Sequence, residues 1–282
     1  MMNISVIGAG YVGLITGIGF AKLNHQVSIV DLNDDLIKNL NENRPPFYEP
    51  ELVDYLNDSN IRNNLFFSTS YQKSINENTD IVFVCVQTPT DPDTGKTKTD
   101  YISSVLTELK KIESFNFIIC IKSTIKATLV EKISNEIDLD YKKIIFNPEF
   151  LREGSAFYDF FNPDRIVIGG SDQKGLNQCT ELYESFDCEK IITDSNSSQM
   201  IKYLSNTYLA MRLSFVNETY RLVSEFNGNP EEVLNAIGKD KRIGNDYFRP
   251  SPGWGGSCFP KDVKAVSYTQ LRAHETMSNL GC

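Results

Sequence analysis

Histidine is scarce in this sequence, and its cysteines are scattered. The 282 residues include two histidines, His25 and His274, and six cysteines that form no C-x-x-C pair. Metal sites need several such ligands close together, so we expect no metal ion. Small secreted domains depend on a framework of paired cysteines. The irregular cysteine spacing therefore predicts a protein of the reducing cytoplasm.

Clustered basic residues and long apolar runs are also missing. The net charge is -9, and binding to phosphate backbones or anionic lipids needs clustered lysine and arginine, so we expect neither nucleic acid nor a membrane as partner. No apolar run reaches the roughly 18 residues of a membrane span. The apolar N-terminus has no basic leader and is interrupted by glycines, so it predicts a strand and a helix instead of a signal peptide.

Eight short apolar segments alternate with amphipathic ones, a pattern typical of a parallel sheet with helical crossovers. Several are apolar throughout, as strands buried on both faces are, so helices should cover both faces of the sheet. The predicted fold class is α/β, with a Rossmann-like doubly wound parallel sheet. The predicted strands are NISVIG (3–8), QVSIVD (26–31), LFFST (65–69), DIVFVCV (80–86), FNFIICI (115–121), KIIFN (143–147), RIVIGG (165–170) and KIITD (190–194).

The sequence changes in character after Asp194. From 195 to 226 it has no glycine or proline, and apolar residues recur at helical spacing, which predicts one long helix. A short helix is predicted for 230–237, and 238–262 is predicted to be a loop rich in glycine and proline. We therefore expect two domains, 1–194 and 195–282, and the long helix can carry a subunit interface.

Glycines at positions 8, 10 and 13 form a G-x-G-x-x-G motif between the first predicted strand and a predicted helix. Such glycines allow a tight turn and the close approach of a pyrophosphate to the helix N-terminus. Asp31 follows the second predicted strand, where a carboxylate bonds a ribose 2′-hydroxyl and repels a 2′-phosphate. The motif favours an NAD site over a bare structural turn. Its proposed contacts are Gly8, Gly10, Tyr11, Val12, Gly13 and Asp31.

Other stretches carry a more specific resemblance. They are IKSTI (121–125), NPEFLREGSAFYD (147–159) followed by NPDRIVIG (162–169), IKYLSNTYLAMR (201–212) and RIGNDYFRPSPGWGGSCFPKD (242–262). With GAGYVGL at the N-terminus, they follow the order and rough spacing of the UDP-glucose/GDP-mannose dehydrogenase family, which the sequence resembles. LREGSA combined with PDRIVIG is most similar to the members that oxidise UDP-glucose. The resemblance implies oxidation of the sugar C6 alcohol to a carboxylate with two NAD, and a homodimer formed through a helical central domain.

The resemblance also implies a covalent mechanism centred on Cys258. In the family, the matching cysteine attacks the C6 aldehyde, and the second hydride leaves from a thiohemiacetal, so that a thioester forms. Neighbouring Lys261 can favour the thiolate. From the residues alone, Cys258 can also be an incidental loop thiol, although Gly255 and its neighbouring glycines let a backbone approach a ligand closely.

Polar residues outside that loop receive roles from the same resemblance. Lys202 and Asn206, four apart on the long helix, match a pair that holds the alkoxide and the later oxyanions. Without the resemblance, the helix pattern alone favours a solvated face for both residues. Asp262 matches a carboxylate that orients or activates a water and acts as base together with Lys202, and Thr124 matches a group that helps to hold the same water. Glu153 matches a group that serves in hydrolysis of the thioester.

The remaining matches concern binding. Glu149 and Glu153 are either substrate-site carboxylates or helix-start carboxylates favoured by the helix dipole. Arg242 matches an arginine that the family contributes across a dimer interface. The substrate-site matches are Glu149, Phe150, Leu151, Glu153, Lys202, Asn206, Arg242, Tyr247, Ser251 and Gly255, and further cofactor-site matches are Thr88, Thr124, Glu153 and Lys261.

Two features depart from the family pattern. Residues 126–128 read Lys-Ala-Thr where the family has a Pro-x-Gly turn, so we expect a shifted backbone at Thr124. The sequence ends at Cys282, whereas the family continues into a C-terminal nucleotide-sugar domain. We therefore expect a fragment that binds NAD weakly and turns over poorly.

Three other functions stay open at this point. The first is oxidation of GDP-mannose or a UDP-N-acetylhexosamine in place of UDP-glucose. The second is an inactive remnant that binds NAD or a partner subunit. The third is a two-electron hydroxyacid dehydrogenase, which would share the NAD site and a catalytic lysine but has no use for Cys258.

Overall fold

The computed structural model describes residues 1–91, 94, 96–112, 116–256 and 259–267. The chain divides into two compact units. The sheet unit comprises Met1–Thr88 and Lys98–Met200, and the helical unit comprises Pro89–Thr97 and Ile201–Cys282. The domain limits expected from the sequence, 1–194 and 195–282, stay predictions.

In the described part of the sheet unit, eight strands form one sheet in the order β3-β2-β1-β4-β5-β6-β7-β8. Neighbouring strands are parallel, apart from the antiparallel pair β6 and β7. Each predicted strand is confirmed to within a few residues, and so is the doubly wound α/β fold. The strands are β1 (Asn3–Ile7), β2 (Gln26–Val30), β3 (Leu65–Ser68), β4 (Ile81–Val84), β5 (Ile118–Ile121), β6 (Ile144–Phe146), β7 (Arg165–Gly169) and β8 (Glu189–Thr193).

Both faces of the sheet are buried. Side chains alternate between the two faces of a strand, so Ile81 and Phe83 of β4 enter one apolar cluster while Val82 and Val84 enter the other. This is why the sequence of β4 is apolar throughout instead of alternating with polar residues.

Helices connect the strands and form the two apolar layers. They are α1 (Tyr11–Lys22), α2 (Asp34–Asn41), α3 (Leu52–Asn57), α4 (Ser59–Arg62), α5 (Tyr71–Ser74), α6 (Asp100–Lys111), α7 (Ala127–Glu136), α8 (Ala156–Phe161) and α9 (Gln173–Leu182), with a 3₁₀ turn at Tyr141–Lys143. Strand β1 lies between β2 and β4, so the strand order reverses direction beside it. Open α/β sheets bind ligands at the carboxyl ends of the strands that flank such a reversal.

The helical unit is built on α10 (Ser195–Glu225), which enters it from Ile201 onward, together with α11 (Pro230–Gly238) and α12 (Phe259–Ser267). The predicted long and short helices are confirmed. None of the helices in the described ranges is long and apolar enough to cross a membrane.

One sequence expectation is wrong in the helical unit. The segment 238–262 was expected to be loop to its end, but α12 already begins at Phe259. The loop was expected because the segment is rich in glycine and proline. Pro260 is nevertheless compatible with a helix, because proline is tolerated in the first turn, where its missing N–H costs no hydrogen bond. Lys261 and Asp262 therefore lie in a helical first turn.

Candidate functional site

The G-x-G-x-x-G loop packs against itself too tightly to carry side chains at two of its glycines. Gly8 has φ +101°, and a Cβ added to it would lie 2.8 Å from the carbonyl oxygen of Cys85. A Cβ on Gly13 would lie 1.8 Å from the carbonyl oxygen of Gly8. These contacts bring the start of α1 close to the ends of β1 and β4.

Gly10 is different, because the space beside it is open. A Cβ added there would meet no described atom within 4 Å, and among the described residues no side chain caps the start of α1. The first backbone N–H groups of a helix have no partner within the helix, so those of Tyr11, Val12 and Gly13 suit an anion. The free space and the uncapped helix fit the pyrophosphate of NAD.

Asp31 directly follows β2 and faces this loop. Its Oδ2 accepts a hydrogen bond of 2.8 Å from the amide of Ala9, and its Oδ1 accepts one of 3.0 Å from the amide of Asn33. The carboxylate is half-buried, and exposed Asp34 and Asp35 follow it. The concentration of negative charge suits a ribose diol and repels a 2′-phosphate.

Thr88 and Thr124 lie in the loops that follow β4 and β5. The hydroxyl of buried Thr88 donates to the carbonyl of Thr124 over 2.8 Å. The next amide, that of Ile125, donates over 3.3 Å to the side-chain oxygen of Gln199, which is fully buried. The Thr124 backbone is therefore held on two sides, although no Pro-x-Gly turn follows it.

Four of the predicted site residues lie in the loop 147–155, ahead of α8. Glu149 accepts a bond of 2.7 Å from the amide of Leu151, and Glu153 is exposed. The Phe150 ring lies under the Arg165 guanidinium, with 4.1 Å between the guanidinium carbon and the ring centroid. Because α8 begins only at Ala156, neither glutamate is on a helix.

In the helical unit, Lys202 and Asn206 occupy a buried face of α10. They are 4 % and 7 % exposed, so the solvated-face alternative is wrong. The Asn206 side-chain amide donates to Oδ2 of Asp262 over 2.6 Å. Burial of polar groups costs free energy unless they are paired, so a buried cluster of this kind needs its partners.

The second oxygen of Asp262 is also engaged. Lys261 donates to Oδ1 over 2.6 Å, and Asp262 itself is 1 % exposed. Burial, and then the charge of Asp262, raise the pKa of Tyr203 well above its ordinary value. Asn206, Lys261 and Asp262 thus form one connected cluster on α10 and α12, with the Tyr203 ring beside it.

The loop that leads towards Cys258 is attached to α10. The amide of Ser251 donates to Asn217 over 3.0 Å, and the indole N–H of Trp254 donates to Ser214 over 2.9 Å. A Cβ added to Gly255 would meet no atom of the described residues within 4 Å. Cys258 itself lies outside the described residues.

Arg242 and Tyr247 are two further predicted site residues in the same part of the chain. Arg242 pairs with Asp240 over 2.6 Å, which raises the pKa of Arg242 and lowers that of Asp240. Tyr247 adopts φ +56°, a backbone conformation that is unfavourable for a bulky side chain. Arg242 is therefore held within its own loop.

Comparison with known proteins decides the family. Residues 2–187 match the NAD binding domain of the UDP-glucose/GDP-mannose dehydrogenase family, and residues 196–280 match its central domain. The chain belongs to this family. It carries the family's NAD-binding domain, in agreement with the geometry at Gly10 and Asp31.

Three relatives illustrate the range of the family. UDP-glucose 6-dehydrogenase YwqF of Bacillus subtilis (strain 168) is 37% identical over 273 residues, which are 94% of this chain and 61% of the relative. A UDP-glucose dehydrogenase structure from the archaeon Pyrobaculum islandicum has a TM-score of 0.87 at 35% identity, covering 99% of this chain and 65% of that one. A ternary complex of GDP-mannose dehydrogenase from Pseudomonas aeruginosa has a TM-score of 0.80 at 29% identity, covering 95% and 64%. The chain thus spans less than two thirds of the length of these relatives.

For this family member, sequence analysis missed residues that hold the predicted ones in place. Gln199 binds the amide that follows Thr124, and its spacing to Lys202 and Asn206 along α10 is the signal that could have identified it. Glu49 is buried and bonded to Tyr11, but it comes from a segment distant in sequence and nothing in the motifs indicated it.

Proposed function

We propose that the chain carries the oxidative machinery of a UDP-glucose 6-dehydrogenase, which converts UDP-glucose to UDP-glucuronate in a four-electron oxidation. The observation that carries the proposal is the cluster of Asn206, Lys261 and Asp262, in which Asn206 and Asp262 are buried and Lys261 is partly buried. A carboxylate, an amide and an ammonium group held together inside a helical unit suit proton transfer and oxyanion stabilisation. NAD, when bound, supplies the hydride acceptor for both oxidations.

In the first oxidation, the residues of α10 act on the C6 hydroxyl. Asp262, working with Lys202, removes the proton of the C6 hydroxyl. Lys202 and Asn206 stabilise the alkoxide that develops as this proton leaves. Loss of hydride from C6 then gives the aldehyde. Asn206 is suited to this role because its amide is already oriented by Asp262 over 2.6 Å.

In the second oxidation, Cys258 forms a covalent bond to C6. Its sulfur adds to the aldehyde carbon, the thiohemiacetal loses the second hydride, and the resulting thioester is cleaved by one water molecule. Glu153 and Thr124 serve that water, which leaves the carboxylate product and the free thiol. The sum consumes one water and releases two hydrides for each sugar.

The proposed contacts to the nucleotide sugar follow the family resemblance. The loop 147–155 supplies Glu149, Phe150, Leu151 and Glu153, and the loop 242–256 supplies Arg242, Tyr247, Ser251 and Gly255. Thr88 and Lys261 join the Gly-rich loop in cofactor contacts. Open space at Gly255 supports this role, because a backbone without a side chain admits close approach of a ligand.

The identity of the sugar rests on the relatives. The Bacillus protein and the Pyrobaculum structure are named for UDP-glucose, at 37% and 35% identity, whereas the Pseudomonas structure is named for GDP-mannose at 29%. We expect UDP-glucose to give the highest kcat/KM in a panel with GDP-mannose and UDP-N-acetylmannosamine. A higher value for either of the other sugars contradicts the assignment.

The covalent step is tested by Cys258→Ser, with Cys188→Ser as the matched control for loss of a thiol elsewhere. We expect the Cys258 variant to bind NAD normally and to form no UDP-glucuronate, while the control forms two NADH for each sugar consumed. Mass spectrometry of the product and NADH absorbance give the two readouts. Carboxylate formation by the Cys258 variant would favour a mechanism without a covalent intermediate.

We also propose that a second copy of the chain covers an apolar stripe on α10. Leu204, Tyr208, Met211, Phe215 and Leu222 are each about half exposed. They fall within roughly 60° on a helix with 3.6 residues per turn, at the three- and four-residue spacing of paired helices. A two-fold dimer places the same stripe of both copies in contact, which suits a self-complementary apolar surface.

The dimer is tested by Phe215→Glu. We expect it to shift the protein from dimer to monomer in analytical ultracentrifugation, because a buried unpaired carboxylate is costly at an apolar interface. The matched control is Tyr220→Glu, since Tyr220 is also exposed but points away from the stripe. A monomeric parent protein, or a Phe215→Glu variant that stays dimeric, contradicts the proposal.

A further inference from the structure

Glu49 is a buried carboxylate with no role in the chemistry described above. It precedes α3 in the sequence YEPEL and is 3 % exposed. Its Oε2 accepts hydrogen bonds of 2.8 Å from the Tyr11 hydroxyl and 2.8 Å from the Gly154 amide. Its Oε1 accepts one of 2.7 Å from the Ala156 amide. One carboxylate therefore joins two distant segments of the sheet unit.

The first segment is the Gly-rich loop. Tyr11 is the first residue of α1, directly after Gly10, and its ring packs against Phe47 with 5.1 Å between centroids. Burial, followed by the hydrogen bond to Glu49, raises the pKa of Tyr11 well above its ordinary value. The phenol therefore stays protonated and can keep donating to Glu49. The same hydroxyl lies 3.2 Å from the carbonyl of Arg152, in the second segment.

The second segment is the turn 152–156, which carries Glu153. Gly154 adopts φ +86°, a left-handed conformation that glycine reaches without the penalty a side chain would bring. Ser155 donates to the Arg152 carbonyl over 3.0 Å, and the Arg152 guanidinium pairs with Asp159 over 2.6 Å. These bonds are local to the turn and the start of α8, whereas those of Glu49 attach the turn to distant parts of the sheet unit.

We propose that Glu49 is a positioning residue, which fixes the loop bearing Glu149 and Glu153 against the Gly-rich loop. It touches neither cofactor nor substrate in this role and acts through Tyr11, Gly154 and Ala156. Its catalytic consequence rests on the proposed function, since that function assigns the hydrolytic water to Glu153. The attachment itself is a property of the fold and holds whatever the substrate is.

The chemistry explains why a carboxylate is needed at this position. Three donors converge on Glu49, and an ionised carboxylate offers only acceptors on both oxygens. A glutamine would place its NH₂ group against an N–H or O–H donor, and a buried donor would lose its partner. Tyr11→Phe is milder, because it removes one of the three bonds and keeps the ring beside Phe47.

The experiment compares Glu49→Gln and Tyr11→Phe with Glu51→Gln. Glu51 is exposed and lies two residues further along the same segment, so it controls for the loss of a glutamate there. Hydrogen exchange followed by mass spectrometry measures protection of the amides in a peptide spanning 152–158. We expect exchange to rise at least about tenfold in Glu49→Gln, to rise less in Tyr11→Phe, and to stay unchanged in Glu51→Gln.

Kinetics separate positioning from a purely structural role. For folded Glu49→Gln we expect kcat to fall at least about tenfold, while the Kd for NAD changes less than about threefold because Gly10 and Asp31 are untouched. Wild-type protection of residues 152–158 in Glu49→Gln overturns the proposal, as does wild-type kcat in a variant with lost protection. If Glu49→Gln fails to fold, Tyr11→Phe decides by the same two readouts. If the protein oxidises no nucleotide sugar, the exchange result still decides the attachment, so the two proposals fail separately.

Discussion

The candidate sites of the two units differ in the chemical groups that form them. In the sheet unit, the site is made mainly of backbone: Gly8 and Gly13 bring peptide groups together, and Gly10 leaves space free. In the helical unit, the site is made of buried polar side chains, with Asn206 and Lys261 both bonded to Asp262. A site made of backbone loses its function when a substitution adds atoms, whereas a site made of side chains loses its function when a substitution changes a functional group. The two kinds of failure are open to direct test.

The largest effect is expected from Gly13→Ala. The new methyl would lie 1.8 Å from the Gly8 carbonyl oxygen, so α1 or the loop must shift. We expect a loss of about 4 kcal/mol in the free energy of unfolding, at the upper end of single substitutions, and loss of NAD binding. Urea unfolding and calorimetric titration with NAD provide the measurements.

Gly10→Ala is the matched control for that prediction. Its methyl enters open space, so we expect the free energy of unfolding to fall by no more than about 1 kcal/mol, the usual cost of alanine at a helix N-cap. NAD affinity should still drop at least about tenfold, because the methyl fills space used by the pyrophosphate. Equal destabilisation by the two substitutions would contradict the distinction between Gly13 and Gly10.

The next largest effect is expected from Asp262→Asn in the helical unit. The substitution keeps the shape but removes the proposed base and leaves either Asn206 or Lys261 facing another donor. We expect kcat to fall at least about 100-fold, the lower range for loss of acid–base catalysis. Steady-state NADH formation measures it, with Asp187→Asn as an exposed control. A kcat within a few-fold of the parent value would exclude Asp262 as the base.

The same contrast explains how much the sequence revealed. Spacing identified the backbone site, because the glycines and Asp31 are fixed by a local strand-turn-helix pattern. All eight strands were predicted, since burial on both faces leaves a plain apolar signature. The start of α12 was missed because Pro260 resembles a helix breaker when its position in the first turn is not known.

Side-chain sites were harder to predict, because their partners come from distant segments. The spacing of Lys202 and Asn206 on its own favours a solvated face, and their burial removes that alternative. The contact of Asn206 with Asp262 joins residues 56 positions apart. Glu49 bonds to Ala156, 107 positions away, and no local pattern records such a pairing.

Lys122 is a buried polar side chain inside the sheet unit. It therefore tests whether the contrast between a backbone site and a side-chain site holds throughout that unit. Its ammonium group donates to Asn147 over 2.9 Å and lies near the ring of Tyr183. Burial lowers the pKa of Lys122, against the opposing effects of its acidic neighbours. Those neighbours, in order of effect, are Cys85, Cys120, Glu149 and Cys179.

We expect Lys122→Met to raise the free energy of unfolding, relative to the parent, most at low pH. A lowered lysine pKa means that the folded state binds fewer protons than the unfolded state, so the parent gains stability as the pH rises towards the ordinary value of about 10.5. Methionine removes this dependence, and Asn147 keeps the hydroxyl of Tyr183 as a donor at 2.6 Å. The free energy of unfolding of the variant, relative to the parent, should therefore fall in urea titrations as the pH rises towards the ordinary lysine pKa. A constant difference would indicate that Lys122 is protonated to the same extent in both states, and a rising difference would indicate that the folded state binds more protons.

The smallest effect is expected at Arg165, a partly exposed side chain of the sheet unit. Arg165 stacks on the Phe150 ring at 4.1 Å, and such contacts contribute about 0.5–1 kcal/mol at partly exposed sites. Arg165→Met should raise the KM for the nucleotide sugar by roughly two- to fivefold through a less ordered Phe150, with little change in kcat. Arg165→Lys keeps the charge but loses the planar stack, so it should lie between the parent and the methionine variant. If Arg165→Lys is as impaired as Arg165→Met, the planar stack is what orders Phe150; if it equals the parent, charge alone is sufficient.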